Sequence, residues 1–137
     1  MTIYERLEKI DKLKQHKRKV DQLQEFSGDV KFVVKSIFQA TYNHNVKFDM
    51  PEGSPPFTPN EKEDIEISKN HFHKAMIASM NRKQHQWKRE RDYTKFLESI
   101  SPKDAEIMIA MKDKKLTDIF PTFTRELCKE VYPEMKL

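Results

Sequence analysis

Apolar residues along this chain recur at three- and four-residue spacing and almost never alternate, so the pattern predicts helices throughout. Ile3, Leu7 and Ile10 mark the first stripe, with Thr2 placed to cap it. Leu13, Val20 and Leu23 continue it more sparsely, which makes residues 2–26 one bent helix or two short ones. Ser27-Gly28-Asp29 is a stop and restart, with Gly28 suited to end one helix and Asp29 to cap the next. From Val30 the stripe is strongest. Val30, Val33, Val34, Ile37, Phe38 and Thr41 share one face, predicting a central buried helix to Tyr42. A later helix is predicted from about Glu61 to Met80, with Ile65, Ser68, Phe72, Met76 and Met80 inward. The next stretch, to Ser99, is its continuation or a new helix. Ser101-Pro102 is an N-cap followed by proline at the first helical position, with Asp104 in the first turn. Thr124 caps a last helix that turns Leu127, Cys128 and Val131 inward and stops at Pro133.

One stretch breaks the pattern. Pro51, Pro55, Pro56 and Pro59, with Gly53 and Ser54 among them, leave too few donors for a helix or a ladder. Residues 43–60 are therefore predicted to be a surface loop, and residues 49–66 hold six acidic side chains against one basic one. The fold expected is all-α, a compact irregular bundle of five to seven helices in a single domain over residues 1–137, carrying a Pro-rich acidic surface loop.

Composition narrows the function. Only two glycines are present, so no glycine-rich loop exists to cradle a nucleotide. His71 and His73 are two apart, on different helix faces, and do not make a metal pair. No Ser, His and acid spacing suggests nucleophilic catalysis. The expectation is a non-enzymatic protein without cofactor, metal or small-molecule substrate. Cys128 is the single cysteine, which excludes an internal disulfide and fits a reducing compartment. No apolar run approaches the ~18 residues of a membrane span, and Met1-Thr-Ile-Tyr-Glu lacks a secretory signal's apolar region. A net charge of +4 permits nucleic acid or an acidic partner. Two basic runs stand out, Lys12–Lys19 and Arg82–Arg91, the second holding Trp87, which is placed either to stack on a base or to pack on the domain. Met76, Met80, Met108 and Met111 are core filler or a soft partner-binding surface.

Two stretches carry a family resemblance. Phe38-Gln-Ala-Thr-Tyr42-Asn-His-Asn-Val46-Lys-Phe48 is one. Lys112-Asp-Lys-Lys-Leu116, a short link, a Thr124-capped helix and Val131-Tyr-Pro133 make the other. Their order resembles the N-terminal all-helical DNA-binding domain of the ATP-dependent DNA ligases of T-even-type tailed phages, and small stand-alone proteins of such phages. The resemblance implies a phage accessory protein in replication, repair or transcription, working in the host cytoplasm or carried in the virion. It implies duplex DNA as partner. The ligase signature Lys-x-Asp-Gly is absent, Thr122 stands where that pattern has glycine, and Glu134 follows Pro133.

The expected DNA contacts are Lys17, Arg18, Lys88, Arg89, Lys114 and Lys115, converging on one face with the helix start at Thr124 and with Arg125. Helix starts offer free N–H groups to phosphate, and cations neutralise it without reading sequence. The second reading is a protein-interaction module, a virion component or a factor docking on a phage or host protein, which has lost DNA binding with the glycines.

Overall fold

A computed structural model describes all residues from Met1 to Leu137. The chain forms seven α-helices, one 3-10 turn and no strand: α1 (Ile3–Asp11), α2 (His16–Gln24), α3 (Gly28–Tyr42), α4 (Lys69–Met80), α5 (Gln86–Ser99), α6 (Pro102–Lys112), the 3-10 turn (Leu116–Asp118) and α7 (Arg125–Val131). This is the all-α bundle that the periodicity predicts. No helix is long and apolar enough to cross a membrane.

The central helix is α3, packed between α4 and α6. α5 lies against both of those, α1 rests on α2 and α6, and α2 packs on α7. Val33, Val34, Ile37, Phe38 and Thr41 are buried as the stripe requires, and Val30 is half-buried. Phe38 meets Phe123 edge-on at 5.8 Å and Tyr132 at 6.1 Å, joining α3 to the C-terminal segment. One apolar core runs from Ile3 to Met135, and Leu127, Cys128 and Val131 enter it together. Burial pushes the Cys128 thiol far up, so it stays protonated and acts as a small hydrophobe.

Several elements begin on a carboxylate that is remote in sequence. Thr2 and Glu5 form a capping box on α1, and the Asp104 carboxylate accepts the Tyr4 N–H at 2.8 Å from across the core. Asp29 does not cap α3, as its position suggests. It accepts the Lys69 N–H at 3.2 Å and so caps α4, while Gly28, at φ 59°, makes the turn into α3. Asp11 accepts the Thr122 N–H at 3.1 Å, and Asp113 the Gly53 N–H at 2.9 Å. The start of a helix or loop carries unmet N–H donors, and these acids meet them from neighbouring elements.

One boundary differs from the periodicity. The Pro-rich stretch holds neither helix nor strand, as expected, but the loop runs on to Ser68 instead of ending near residue 60. Ile67, not Ile65, is the buried residue. The cause is the cap: the Ser68 hydroxyl accepts the His71 N–H at 3.1 Å while Asp29 takes that of Lys69, so two of the free donors of α4 are met at Ser68 and not at Glu61. The loop is pinned at intervals. Phe48 is buried against Tyr93, Thr58 donates to Glu98 at 2.8 Å, and the N-terminal amine pairs with Asp64 and Glu66.

Two predictions follow from this packing. Phe38→Ala, which empties a fully buried ring site, lowers unfolding free energy by about 3–5 kcal/mol in urea melts. Asp104 is fully buried and one of its oxygens lacks a partner, as does the nearby Ser101 hydroxyl. Burial raises its pKa above 3.8, against the lowering effect of the Tyr4 N–H. A folded-state pKa above the unfolded one means that ionisation costs stability at neutral pH, a cost that fades as pH falls through the raised value. Asp104→Asn, keeping the acceptor for Tyr4, therefore matches or exceeds the parent at pH 7 and loses that advantage near pH 4. Asp104→Ala, which strands the Tyr4 N–H, costs about 1–3 kcal/mol.

Candidate functional site

The cations expected to hold phosphate divide into two groups, and the C-terminal end of α3 explains the division. A helix ends with carbonyls that no later N–H reaches, and they carry the negative end of its dipole. α3 has no glycine to turn its end; Asn43 follows in extended backbone. Lys114 fills the gap. Its backbone adopts φ 61°, an uncommon left-handed geometry for lysine. That turn carries its ammonium onto the carbonyls of Ala40, Asn43 and Val46. Burial of this head holds it below the usual lysine range. Arg125 donates to the Tyr42 carbonyl at 2.5 Å, and its guanidinium lies over the Tyr42 ring. The Tyr42 hydroxyl in turn donates to the Phe123 carbonyl. Where a phosphate was expected, the carbonyl end of α3 is bound.

Arg89 is a correction. Sequence places it in a solvated basic run, yet it is 5% exposed. It stands four residues before Tyr93 and so occupies the inner face of α5 with Tyr93, Phe96 and Leu97. Its guanidinium donates to the carbonyls of Gln84 and Asp49, each at 3.2 Å, and faces the Asp49 carboxylate at 3.6 Å. Lys115 pairs with Glu52 of the acidic loop, which raises its pKa. The Thr124 hydroxyl accepts the Leu127 N–H and caps its own helix, which is seven residues long.

Lys17, Arg18 and Lys88 remain without an ion-pair partner. Lys17 and Arg18 are exposed in the first turn of α2, which packs on α1 and α7; Lys88 is half-buried in α5, which packs on α4 and α6. The expected single face of six cations is not assembled by contacts between these elements. Lys112 was missed by sequence reasoning. It is buried, bonded to Asp113 at 2.6 Å and to the Pro51 carbonyl at 2.7 Å, and it fastens the acidic loop to α6.

The other accessible feature is an apolar groove between α3 and α4, about 410 Å³ in volume. Phe32, Ser36, Gln39 and Ala40 form one wall, Phe72, His73, Met76 and Met80 the other, with Val46 closing one end. Phe32 meets Phe72 at 6.3 Å and His73 at 6.1 Å, both edge-on, and closes the other end. The methionines therefore divide: Met108 and Met111 are core, Met76 is a buried core residue that also floors this groove, and the half-buried Met80 lines it. Ile77 is 55% exposed, four residues after His73 and three before Met80, so it extends the α4 wall outward. Trp87 is 61% exposed just beyond the α4–α5 turn, with Arg91 over its ring at 5.5 Å. It does not pack on the domain.

Helical bundles of this kind, with a groove on one side and no convergent set of three metal-ligating side chains, define a class by architecture and leave activity open. The chain belongs to the family of unknown function DUF6433, whose match covers residues 6–118. That span includes both walls of the groove and Lys114, and stops short of α7. No curated protein and no solved structure matches the chain.

Lys114→Ala, which removes the donor to the carbonyls of Ala40, Asn43 and Val46, lowers unfolding free energy by about 0.5–1.5 kcal/mol, whereas Lys115→Ala leaves the urea midpoint unchanged. Paired urea melts of the two variants separate an internal role at 114 from a solvated one at 115. Equal effects would contradict the assignment.

Proposed function

We propose that this protein is a non-enzymatic protein-interaction module, an accessory factor of phage origin that docks on a phage or host protein in the cytoplasm of the infected cell. The observation that carries this reading is the internal engagement of Arg89, Lys114, Lys115 and Arg125. With Thr124 capping its own helix, five of the eight positions expected to touch DNA already have partners within the fold. The exposed apolar side chains, Ile77 and Trp87, lie instead on α4 and α5. Isolated exposed apolar residues are ordinary, but two flanking one turn beside an apolar groove favour a protein partner. The likeness to phage ligase domains supports the origin, and the missing glycine at Thr122 agrees with a lost phosphate contact.

Duplex DNA, the competing reading, retains Lys17, Arg18 and Lys88. Three neutralised phosphates would give a slope of log affinity against log salt of about −2.7, where six would give about −5. Titration of a short duplex at two salt concentrations decides between them. The expected result is no affinity tighter than ~100 μM at physiological salt, the weak end of non-specific binding. Tighter binding with a slope near −5 would overturn the module reading. Capture from infected cells with this chain as bait is expected to recover one protein that survives nuclease treatment.

A further inference from the structure

The groove between α3 and α4 is bordered by an unusual distribution of charge. Residues 30–48, which hold most of α3 and the first turn after it, contain three lysines and no carboxylate. Residues 67–89, which hold α4 and the start of α5, contain six lysines and arginines and again no carboxylate. Four of the chain's five histidines also fall in these two stretches. The remainder of the chain has 17 basic and 22 acidic residues. The positive charge of this protein is therefore gathered on the two segments that wall the groove.

These charges are largely free. Lys35 lines the groove and pairs with Glu134 at 2.8 Å, and Arg89 is buried. Lys31, Lys47, Lys69, Lys74, Arg82, Lys83 and Lys88 form no ion pair, and no carboxylate lies in either stretch to answer them. Lys69 stands over the Phe32 ring at 4.8 Å, at one end of the groove. At the other end Lys47 follows the lining residue Val46 in the chain, and Arg82 and Lys83 follow Met80. An apolar floor thus has unpaired cations at both ends. Phosphate backbones would find the cations but nothing for the floor to contact. A purely apolar segment would leave the cations unanswered. An amphipathic helix with one apolar stripe and acidic flanks satisfies both, since such helices dock by anchors at i, i+3 or i+4, and i+7 while rim charges set partner choice.

We propose that the α3–α4 groove is the docking site for an acidic amphipathic helix of a partner protein, with its apolar stripe on Phe32, Met76 and Met80 and its carboxylates toward Lys47, Lys69, Arg82 and Lys83. This inference rests on the interaction-module reading and names the site and chemistry of that partner.

The test uses the full chain and four fluorescent probes: a helical peptide with leucines at i, i+4 and i+7 among glutamates, its glutamate-to-lysine and leucine-to-serine counterparts, and a short DNA duplex. The acidic leucine peptide is expected to bind about tenfold or more tighter than either counterpart, with an affinity that falls as salt rises. Gln39→Glu, on a half-exposed lining position, is expected to weaken it about tenfold with an unchanged melting temperature, and Lys69→Glu to act in the same direction. Lys17→Glu on α2 is expected to have no effect. Equal binding of acidic and basic peptides would overturn the proposal, as would indifference to Gln39→Glu in a variant that melts like the parent. Competition by the duplex would assign the surface to nucleic acid instead. Self-association abolished by Gln39→Glu would assign it to a second copy, whose acidic loop would be the occupant. A captured protein whose binding ignores Gln39→Glu would leave the module reading standing while removing the groove from it.

Discussion

The ammonium of Lys114 on the carbonyl end of α3 is the contact on which much of this architecture depends. α3 is the central helix, and no glycine turn redirects the carbonyls at its end. A single donor with three hydrogens meets the carbonyls of Ala40, Asn43 and Val46 together. In doing so it ties the turn after α6 to the end of α3 and to the first residues of the loop that follows. Arg125 and Tyr42 complete the same junction from the side of α7. A chain with only two glycines has few other ways to end a buried helix.

The same constraint, acting at two helix starts and in two loop turns, accounts for the acids. Asp11, Asp29, Asp104 and Asp113 each accept a backbone N–H far away in sequence. Sequence suggests only local roles for Asp29 and Asp104 and none for Asp11 and Asp113, yet each joins two elements. The high charge of this protein is thus partly structural, and a thin apolar core is supplemented by carboxylates that complete the backbone of their neighbours. Hydrogen bonds to an ionised acceptor are among the stronger ones a fold can use.

Much of the architecture was legible beforehand. The stripe from Val33 to Thr41, the caps at Thr2 and Thr124 and the prolines from Pro51 to Pro59 are local signals, and local signals survive into the structure. The start of α4 was not legible, because the residue that helps to set it, Asp29, is forty positions away. Arg89 was misjudged because a charge run hid its place four residues before Tyr93. Lys114 was recognised as distinctive, but its partner depends on which helix end lies opposite, and spacing does not contain that. The groove was missed for a different reason: Phe32 lies off the main stripe of α3. The absence of carboxylates on both walls was visible in the sequence throughout and becomes meaningful only once the two segments are adjacent.

Caps supplied from afar also change how such a helix bundle breathes. Amide protons at the first turn of a helix are ordinarily quick to exchange with solvent, since fraying exposes them at little cost. Here the Tyr4 amide in α1 is held by α6 and that of Lys69 in α4 by α3, while the Thr122 amide, in the turn leading to α7, is held by α1. Opening any one of these ends requires a second element to move away from it. Fraying is thereby coupled across the molecule, and helix starts that would behave as independent edges become part of one cooperative unit.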